Sequence, residues 1–518
     1  MNKSLPPRPD LGQLKKQAKD LLNDIRANRP EAVARVSANE IAQFALADAQ
    51  RTVAREYGFA SWARLKLHVE TRGPGLAARE LVRAAVRGQH ENVAQILREF
   101  PRLSRASINV AAALGDPVGV RDWLQHDPAL ATARSREVKW TPLLFVCVGR
   151  VGGDDAARAE CVRLLLAAGA DANEYWTEDG VPTVKLPALC GATGINDYPQ
   201  TARELLGAGA NPNDDESVYH AAEHAHLASL KVLKEFGADL SHSATSGGGS
   251  TPLYFIFEVI GGRAEREAGA RWLLEQGANP NVVCRAIQET ALHAAVRRNY
   301  STDMIELLLT RGADASCRRL DGRTALALAV RGGHENIAAL LRARGPTDGI
   351  SAADRFLGAC LRADGTQARA LLAENPGLLD QLPATDRQMV TEAAREGRSA
   401  AIVLMQELGF DVRLPDESGV TPLHSAGWNG RLAAVRALIA AGADINRPEQ
   451  RFNATPLGWV MHGSQFNRDP EGDYPGCAET LLGAGAMAPE ATFGSVEVKA
   501  VLTGHRGKST ENPGRVPS

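Results

Sequence analysis

Apolar residues return at helical spacing in short blocks along most of this chain, and glycine divides each block into two segments. In residues 421–446, Thr421 suits a helix N-cap and Pro422 suits the first helical position. Gly430 and Gly442 suit the ends of a first and a second helix. The apolar positions of the second segment are Val435, Leu438 and Ile439. The pattern predicts a short helix, a turn and a second helix.

The block repeats with a constant length. From the threonine to the terminal glycine there are 21 residues in the units that begin at Thr324 and Thr421. Applied along the chain, this spacing indicates about twelve units over residues 76–493. They begin at or near Glu80, Ala106, Thr141, Leu186, Glu216, Thr251, Thr290, Thr324, Asp354, Gln388, Thr421 and Thr455. Neither helix of a unit can bury its apolar stripe alone, so the pattern predicts an all-α solenoid of stacked units.

The unit sequence TPLHSAGWNGRLAAVRALIAAGADIN resembles the ankyrin repeat. The Thr-Pro-Leu heads at residues 141, 251, 421 and 455 carry this resemblance, together with Gly-Ala-Asp or Gly-Ala-Asn tails such as Gly442-Ala443-Asp444. The resemblance implies helix-turn-helix units with short β-turn tips. It also implies that His293 and His424 bond to neighbouring backbone and hold adjacent units in register, and that a partner protein binds across a concave face.

In ankyrin repeats the concave face is lined by the tips before each threonine and by the two residues before the interhelical turn. Arginine recurs at these positions here. The resulting candidates for partner contact are Trp140, Arg297, Arg298, Arg323, Arg331, Trp428, Asn429, Phe452 and His462.

Trp428 is the strongest candidate because tryptophan is enriched at interface hot spots. It is equally able to pack on the next tip, against Phe452. Arg297, Arg298 and Arg331 form either a basic strip suited to an acidic segment or a solvated charged face.

Extra residues separate the two helices of three units, at about 149–156, 260–266 and 464–472. Insertions in a solenoid emerge as loops on one face, often the binding face. The last is the most distinctive, because it brings Phe466 and Tyr474 together with Arg468 and Asp469. A binding loop and a solvated loop are both compatible with this composition.

Residues 1–73 precede the repeats and differ from them. One helical face carries Leu11, Leu14, Ala18, Leu21, Leu22 and Ile25. The strings LKKQAKDLL and DAQRTVAREYGFASWARLKLHVE resemble a helical element found ahead of ankyrin repeats in bacterial proteins. The segment holds 13 Lys and Arg against 8 Asp and Glu. It is predicted to be a helical cap or a separate module, and a basic surface for nucleic acid is the alternative.

The repeats are predicted to form two stacks, at 76–346 and 350–493. Both stacks run from two degenerate units into a Thr-Pro-Leu unit, and the segment 345–349 holds the glycines and the proline of a seam. Residues 503–518 are nearly free of apolar residues and are predicted to be disordered.

Composition narrows the classes of function. The formal net charge is −2, which argues against nucleic acid as the main partner, and no apolar run reaches membrane-spanning length. The seven cysteines are scattered, and no signal sequence is visible, so we expect a cytoplasmic protein with no membrane contact. With 48 Arg against 11 Lys, we expect a bacterial source. We also expect a monomer.

Catalytic and cofactor motifs are missing from the sequence. Gly507-Lys508-Ser509 resembles the end of a phosphate-binding loop, but Leu502 stands where its first glycine belongs. His220 and His224 have the i, i+4 spacing of zinc ligands, whereas the neighbouring His226 occupies the interhelical turn.

We therefore expect no enzyme activity, no cofactor and no metal, and predict a scaffold that binds an unidentified protein. A small ligand or catalytic site where residues 1–73 meet the first repeats is one alternative, and nucleic-acid binding by the basic N-terminal helix is another.

Overall fold

The computed structural model describes the chain except for residues 1–9, 37–43, 60, 63–64, 67–68, 70–73, 179–180, 243–248, 260–262, 346, 348, 489–492 and 512–518. The chain divides into two compact units. One unit comprises Met1–Ala221 and His226–Asp239, and the other comprises Ala222–Ala225 and Leu240–Ser518.

Paired helices occupy the positions of the predicted repeats. The first helices are Pro74–Val86, Ile108–Ala113, Pro142–Val148, Ala188–Cys190, Ser217–Glu223, Pro252–Glu258, Ala291–Arg297, Ala325–Arg331, Ala352–Leu361, Met389–Arg395, Pro422–Trp428 and Pro456–Phe466. The second helices are His90–Glu99, Pro117–His126, Asp155–Ala167, Pro199–Gly207, Leu227–Glu235, Arg263–Glu275, Thr302–Thr310, Glu335–Arg342, Gly365–Glu374, Ser399–Glu407, Leu432–Ala440 and Tyr474–Gly483. Shorter helices lie at Pro101–Arg105, Pro128–Thr132, Leu378–Gln381 and Ala384–Arg387.

A β-hairpin lies where the sequence predicted the start of a unit near Leu186. Strand Tyr175–Glu178 pairs antiparallel with strand Val181–Pro187, and Trp176 is opposite Leu186. The helix begins only after Pro187 and widens into the π-turn Gly191–Ile195. A Cβ at Gly194 would lie 2.4 Å from the Cβ of His220, so the close packing of this turn requires glycine.

The N-terminal segment has a hydrophobic core of its own. Its helices are Leu11–Arg26, Pro30–Val33 and Leu46–Glu56, and its buried residues all fall within residues 14–69. The predicted face is confirmed, since Leu14, Ala18, Leu21, Leu22 and Ile25 are buried while Lys15, Lys16 and Lys19 are exposed. The choice between a cap and a separate module stays a prediction.

Thr421 and His424 start their helix as predicted. The Thr421 N–H donates to His424 Nδ1 at 3.2 Å, and the other ring nitrogen lies 3.1 Å from the carbonyl oxygen of Ala454 in the next repeat. His293 makes the same pair of contacts, with Thr290 and with the carbonyl of Cys317. Each ring is a neutral imidazole that accepts at Nδ1 and donates at Nε2. The predicted structural role of both histidines is confirmed.

Arg158 is a fully buried arginine whose guanidinium is bonded to backbone carbonyls. It donates to the carbonyls of Val146 at 2.9 Å, Val151 at 3.0 Å, Gly153 at 3.1 Å and Ala113 at 3.4 Å. Carbonyls at helix ends lack partners within the helix and carry partial negative charge, so they can hold a cation in the interior. Arg158 thereby joins two repeats and the first insertion.

Arginine side chains also donate to backbone carbonyls in the second unit. Arg266 donates to the carbonyl of Glu223 at 2.7 Å, Arg398 to that of Gly332 at 2.9 Å, and Arg431 to that of Arg395 at 3.3 Å. In each case an arginine at or near the start of a second helix reaches the end of a first helix in an earlier repeat. This role was not predicted from the sequence, although the recurrence of arginine at that position could have indicated it.

The first insertion packs against the preceding repeat instead of forming a free loop. The Gly153 N–H donates to the carbonyl of Leu114 at 2.7 Å. Gly152 has a φ of +110°, and a Cβ there would lie 2.1 Å from the same oxygen. Glycine is required at this position both by the backbone conformation and by the close approach.

The second unit runs through the predicted seam. Helices Ala325–Arg331 and Ala352–Leu361 contact each other, and Arg323 Nε lies 2.8 Å from an oxygen of Asp354. The division into stacks 76–346 and 350–493 stays a prediction.

The final helix is Val496–Glu511, which includes residues of the segment 503–518 that the sequence predicted to be disordered. Buried Val498 and Leu502 anchor this helix to the repeats. Residues 512–518 lie outside the described part of the chain.

Replacing Arg158 by methionine is expected to destabilise the first unit by at least about 3 kcal/mol, because several buried carbonyls lose their donor and methionine offers none. Urea denaturation followed by circular dichroism measures the change. Arg163→Met is the matched control on the same helix, since the side chain of Arg163 is 61% exposed and only pairs with Glu204. Equal midpoints for the two variants would contradict the role assigned to Arg158.

Acid is expected to destabilise the second unit through His334. Burial, with the Arg398 guanidinium beside the ring, lowers the pKa of His334 to about 3. The unfolded chain binds the proton near pH 6.5 and the folded chain does not, so stability is lost as the pH falls below that value. By pH 5 the loss amounts to about 2 kcal/mol. His334→Gln should lessen the decline between pH 7 and pH 5 in urea denaturation, and an unaltered decline would contradict the assignment.

Candidate partner-binding face

Arg297 and Arg298 lie at the end of one first helix, as predicted, but they are paired with carboxylates. Arg297 donates to both oxygens of Glu289, at 3.1 Å and 2.9 Å, and also pairs with Glu258. The Glu289 side chain is fully buried and also pairs with Arg319. Although burial raises the pKa of Glu289, these guanidinium groups hold it below its usual range. The pair is therefore part of an ionised, interior network.

Arg323 and Arg331 extend this network into the next repeats. Arg331 pairs with Asp386, with one N–O distance of 3.0 Å, and reaches Asp354 at 3.4 Å. Arg323 lies 2.8 Å from Asp354 and 2.9 Å from Asp321. The Asp354 and Asp386 side chains are buried. Arg331 is thus held by two carboxylates beneath the surface.

We call these residues the arginine lattice: Arg297, Arg298, Arg319, Arg323 and Arg331 with Glu258, Glu289, Asp321, Asp354 and Asp386. Its five positive and five negative charges balance. The arginines were assigned to one face from the sequence, which gave no sign that acidic residues, up to 55 positions away, would neutralise them. Substitution of Arg297 or Arg331 therefore removes one charge partner from buried carboxylates and perturbs folding as well as any contact with a partner.

Aromatic side chains form a second feature of the same unit. Trp428 packs edge-to-face on Trp459, with ring centroids 5.7 Å apart. His462 lies one turn further along the helix of Trp459. Its ring stacks on Phe466, with centroids 5.9 Å apart, and contacts the tilted ring of Phe493 at 4.6 Å. We call these five residues the aromatic strip. Trp428 thus packs on the next first helix, and Trp459 and Phe493 are members that sequence inspection missed.

Phe466 is the exposed end of the aromatic strip, with 63% of its surface accessible. The predicted insertion begins inside the helix Pro456–Phe466, and its next residue, Asn467, donates to the Trp428 carbonyl at 3.1 Å. The insertion is therefore fastened to the preceding repeat at Trp428, which fixes the position of Phe466.

Phe452 lies at a tip and is 68% exposed. The buried carboxylate of Glu449 accepts hydrogen bonds from the N–H groups of Arg451, Phe452 and Ala454 at 2.7, 2.9 and 3.1 Å. Those bonds hold the pKa of Glu449 below its usual range against the opposing effect of burial. Phe452 is consequently an exposed aromatic residue on an ordered turn.

Three other predicted contact residues serve packing. Tyr474 is buried, and its hydroxyl donates to the Trp428 carbonyl at 3.2 Å. Asn429 is buried and donates to the Ser425 carbonyl at 2.8 Å. Trp140 is half-buried against Trp176, with centroids 5.5 Å apart, because the unpredicted hairpin covers it.

The structure adds little support to the alternative ligand and metal sites considered from the sequence. The junction between residues 1–73 and the first repeats includes residues 70–73, which lie outside the described part of the chain. Within the described part, no group of three or more His, Cys, Asp or Glu is placed to hold a metal ion. His226 Nδ1 lies 2.8 Å from the Thr193 carbonyl, a contact that fits the predicted place of this histidine in an interhelical turn. In the same part of the chain no helix is long and apolar enough to cross a membrane.

Parts of this chain are similar in sequence to parts of known proteins. The palmitoyltransferase Hip14 of Drosophila melanogaster is 32% identical over 134 residues, which is 25% of this chain and 20% of that protein. Rabankyrin-5 of Mus musculus is 28% identical over 30% of this chain and 14% of its own length. The E3 ubiquitin-protein ligase KEG of Arabidopsis thaliana is 25% identical over 48% of this chain and 15% of its own length. The chain thus spans a fifth or less of these eukaryotic relatives, and its predicted bacterial source stays a prediction.

Among solved structures, the human ASB11 ankyrin repeat domain is 21% identical and aligns with a TM-score of 0.37 over 47% of this chain and all of that one. The family model for ankyrin repeats matches residues 262–348 and 357–449. These two ranges include most of the arginine lattice and the unit that begins at Thr421. The chain therefore contains ankyrin repeats, and the all-α repeat fold predicted from the sequence is confirmed.

Proposed function

We propose that this chain is a non-catalytic scaffold that binds a partner protein through the first helices and tips of its ankyrin repeats. The aromatic strip with its neighbouring tip carries the proposal. Phe466 and Phe452 expose most of their surface at the two ends of the helix Pro456–Phe466, and the half-buried pair Trp428 and Trp459 lies in the same repeats. Aromatic residues are enriched at protein interfaces and among their hot spots.

Local order strengthens this proposal. Glu449 fixes the tip that presents Phe452, and Asn467 fixes the insertion that follows Phe466. A side chain that is already held in place loses little conformational freedom on binding, so more of its contact energy appears as affinity. Among the residues predicted from the sequence, Trp428, Phe452, His462 and Phe466 are the ones we retain for this surface.

The limited extent of the matches to enzymes also supports the non-catalytic part of the proposal. Palmitoyltransferases and a ubiquitin ligase are among the relatives, but this chain spans only 20% of Hip14 and 15% of KEG. A match confined to that share of an enzyme is explained by common repeats, and we do not assign either activity to this chain.

We propose a reducing, cytoplasmic location for the scaffold. All seven cysteines are free, and six of them are buried. Burial raises the pKa of Cys147 and Cys360 to about 12, which keeps both thiols protonated and unreactive.

The double substitution Phe452→Ala with Phe466→Ala is expected to weaken partner binding by at least about 30-fold, because losing even one hot-spot aromatic costs about 2 kcal/mol. Proteins retained from an extract of the source cells by wild-type and variant chains are quantified by mass spectrometry. The affinity of the leading protein is then measured with purified components.

Val403→Ala is the matched control, since Val403 is a 46%-exposed apolar residue on a second helix. It should leave partner retention unchanged. Circular dichroism checks that each variant is folded. Equal retention by the double variant and the wild type would refute the assignment of this surface.

A further inference from the structure

A pocket of about 320 Å³ opens among the first helices of the arginine lattice. All five lattice arginines line it, together with apolar side chains such as Leu328, Leu361 and Met389. Pockets of a few hundred Å³ accept a small ligand or one side chain of a larger one. The carboxylates of Asp321, Asp386, Glu392 and Glu396 also line it. The lining therefore combines guanidinium and carboxylate groups with an apolar wall, and the volume matches one projecting group.

The lattice arginines differ in how firmly they are held. Arg297, Arg323 and Arg331 each contact two or more carboxylates, at least one of them within 3.0 Å. Among the described residues, the one ion pair of Arg298 is with Glu258, at 3.5 Å, and Glu258 also pairs with Arg297. Although burial raises the pKa of Glu392, the charge of Arg298 acts with that of Arg395 to hold it below its usual range. Arg298 Nε is buried and has no hydrogen-bond partner, which is also true of Arg319 Nε, but Arg319 is held by its ion pair with the buried Glu289. Turning the Arg298 guanidinium toward a ligand would therefore break one long ion pair.

The chemistry of Arg298 selects an oxyanion. A guanidinium presents parallel N–H donors that match the two oxygens of a carboxylate or of a phosphate. The four other arginines lining the pocket hold their carboxylates within the lattice, so Arg298 has the donors to spare. An oxyanion that binds Arg298 replaces a long shared contact with short, charge-assisted hydrogen bonds.

We propose that Arg298 reads an oxyanion-bearing side chain, acidic or phosphorylated, that the partner protein inserts into this pocket. This inference rests on the proposed function, because the group is carried by the same partner that covers the aromatic strip. It uses a different surface, so the two claims can fail separately. Within the arginine lattice, Arg298 binds the partner's oxyanion, whereas the other arginines stabilise the fold.

The test uses immobilised dodecapeptides of Gly and Ser with a central Glu, phosphoserine or Ala, and free inorganic phosphate followed by ³¹P line broadening. The full-length wild type should be retained at least 10-fold better by an acidic peptide than by the Ala peptide. Arg298→Gln should abolish that preference. Arg298→Lys should keep only part of it, since lysine retains the charge and loses the bidentate geometry.

Two further variants test whether the effect is specific to Arg298. Glu258→Gln removes the competing carboxylate and should strengthen retention by the acidic peptides several-fold. Arg369→Gln, an exposed arginine paired with Glu407 on a second helix, is the charge-matched control and should behave as the wild type. The Glu and phosphoserine peptides distinguish the two sources of the oxyanion, and broadening of phosphate alone that Arg298→Gln abolishes would also support the pocket.

The proposal is overturned if folded Arg298→Gln binds the acidic peptides as the wild type does, or if no probe prefers the wild type. If Arg298→Gln removes the acidic preference while Phe452→Ala with Phe466→Ala leaves partner binding intact, the pocket stands and the aromatic surface fails. The reverse result removes the pocket and leaves the scaffold proposal standing. Urea denaturation of Arg298→Gln should give the wild-type midpoint, as expected for a loosely held side chain.

Discussion

Short buried helices leave carbonyl groups that only side chains from outside the helix can satisfy, and much of this structure follows from that constraint. All seven residues of the helix Pro142–Val148 are buried, so water cannot serve the carbonyls at its end. Arg158 donates to one of them, and Asn196 from the next repeat donates to the Cys147 carbonyl at 3.0 Å. Each repeat thus depends on its neighbours for hydrogen bonds as well as for apolar contacts.

Local sequence rules predicted the parts of this fold that are settled within one repeat. The N-cap at Thr421, the proline that follows it and the histidine at 424 lie within four residues, and their chemistry admits few alternatives. The repeat spacing then located degenerate units such as that of Gln388. The hairpin at Tyr175–Glu178 was missed because it replaces a tip that the spacing alone treats as a short turn.

The candidate site was predicted less well because its residues act across repeats. The arginines at the ends of first helices could be recognised in the sequence. Their partners Glu258 and Asp386 could not, because only the folded chain places them beside Arg297 and Arg331. Trp428 could likewise be recognised from its position at the end of a first helix. The residue it packs on, Trp459, lies 31 positions away in the next repeat. Glu289 was the available clue, since an acidic residue directly before the capping Thr290 has little reason to be buried unless a cation meets it.

Charge balance within the lattice also decides what kind of partner fits this face. An unpaired arginine strip would attract any polyanion, with affinity that falls steeply as salt rises. Here most of the positive charge is already held by carboxylates such as Glu289 and Asp354 at short range, so a nucleic acid would have to displace buried ion pairs to gain contacts. A partner that places one oxyanion at Arg298 and apolar groups on Phe452 and Phe466 breaks only the long contact between Arg298 and Glu258. The same neutralisation that removes a general basic surface therefore favours a selective one.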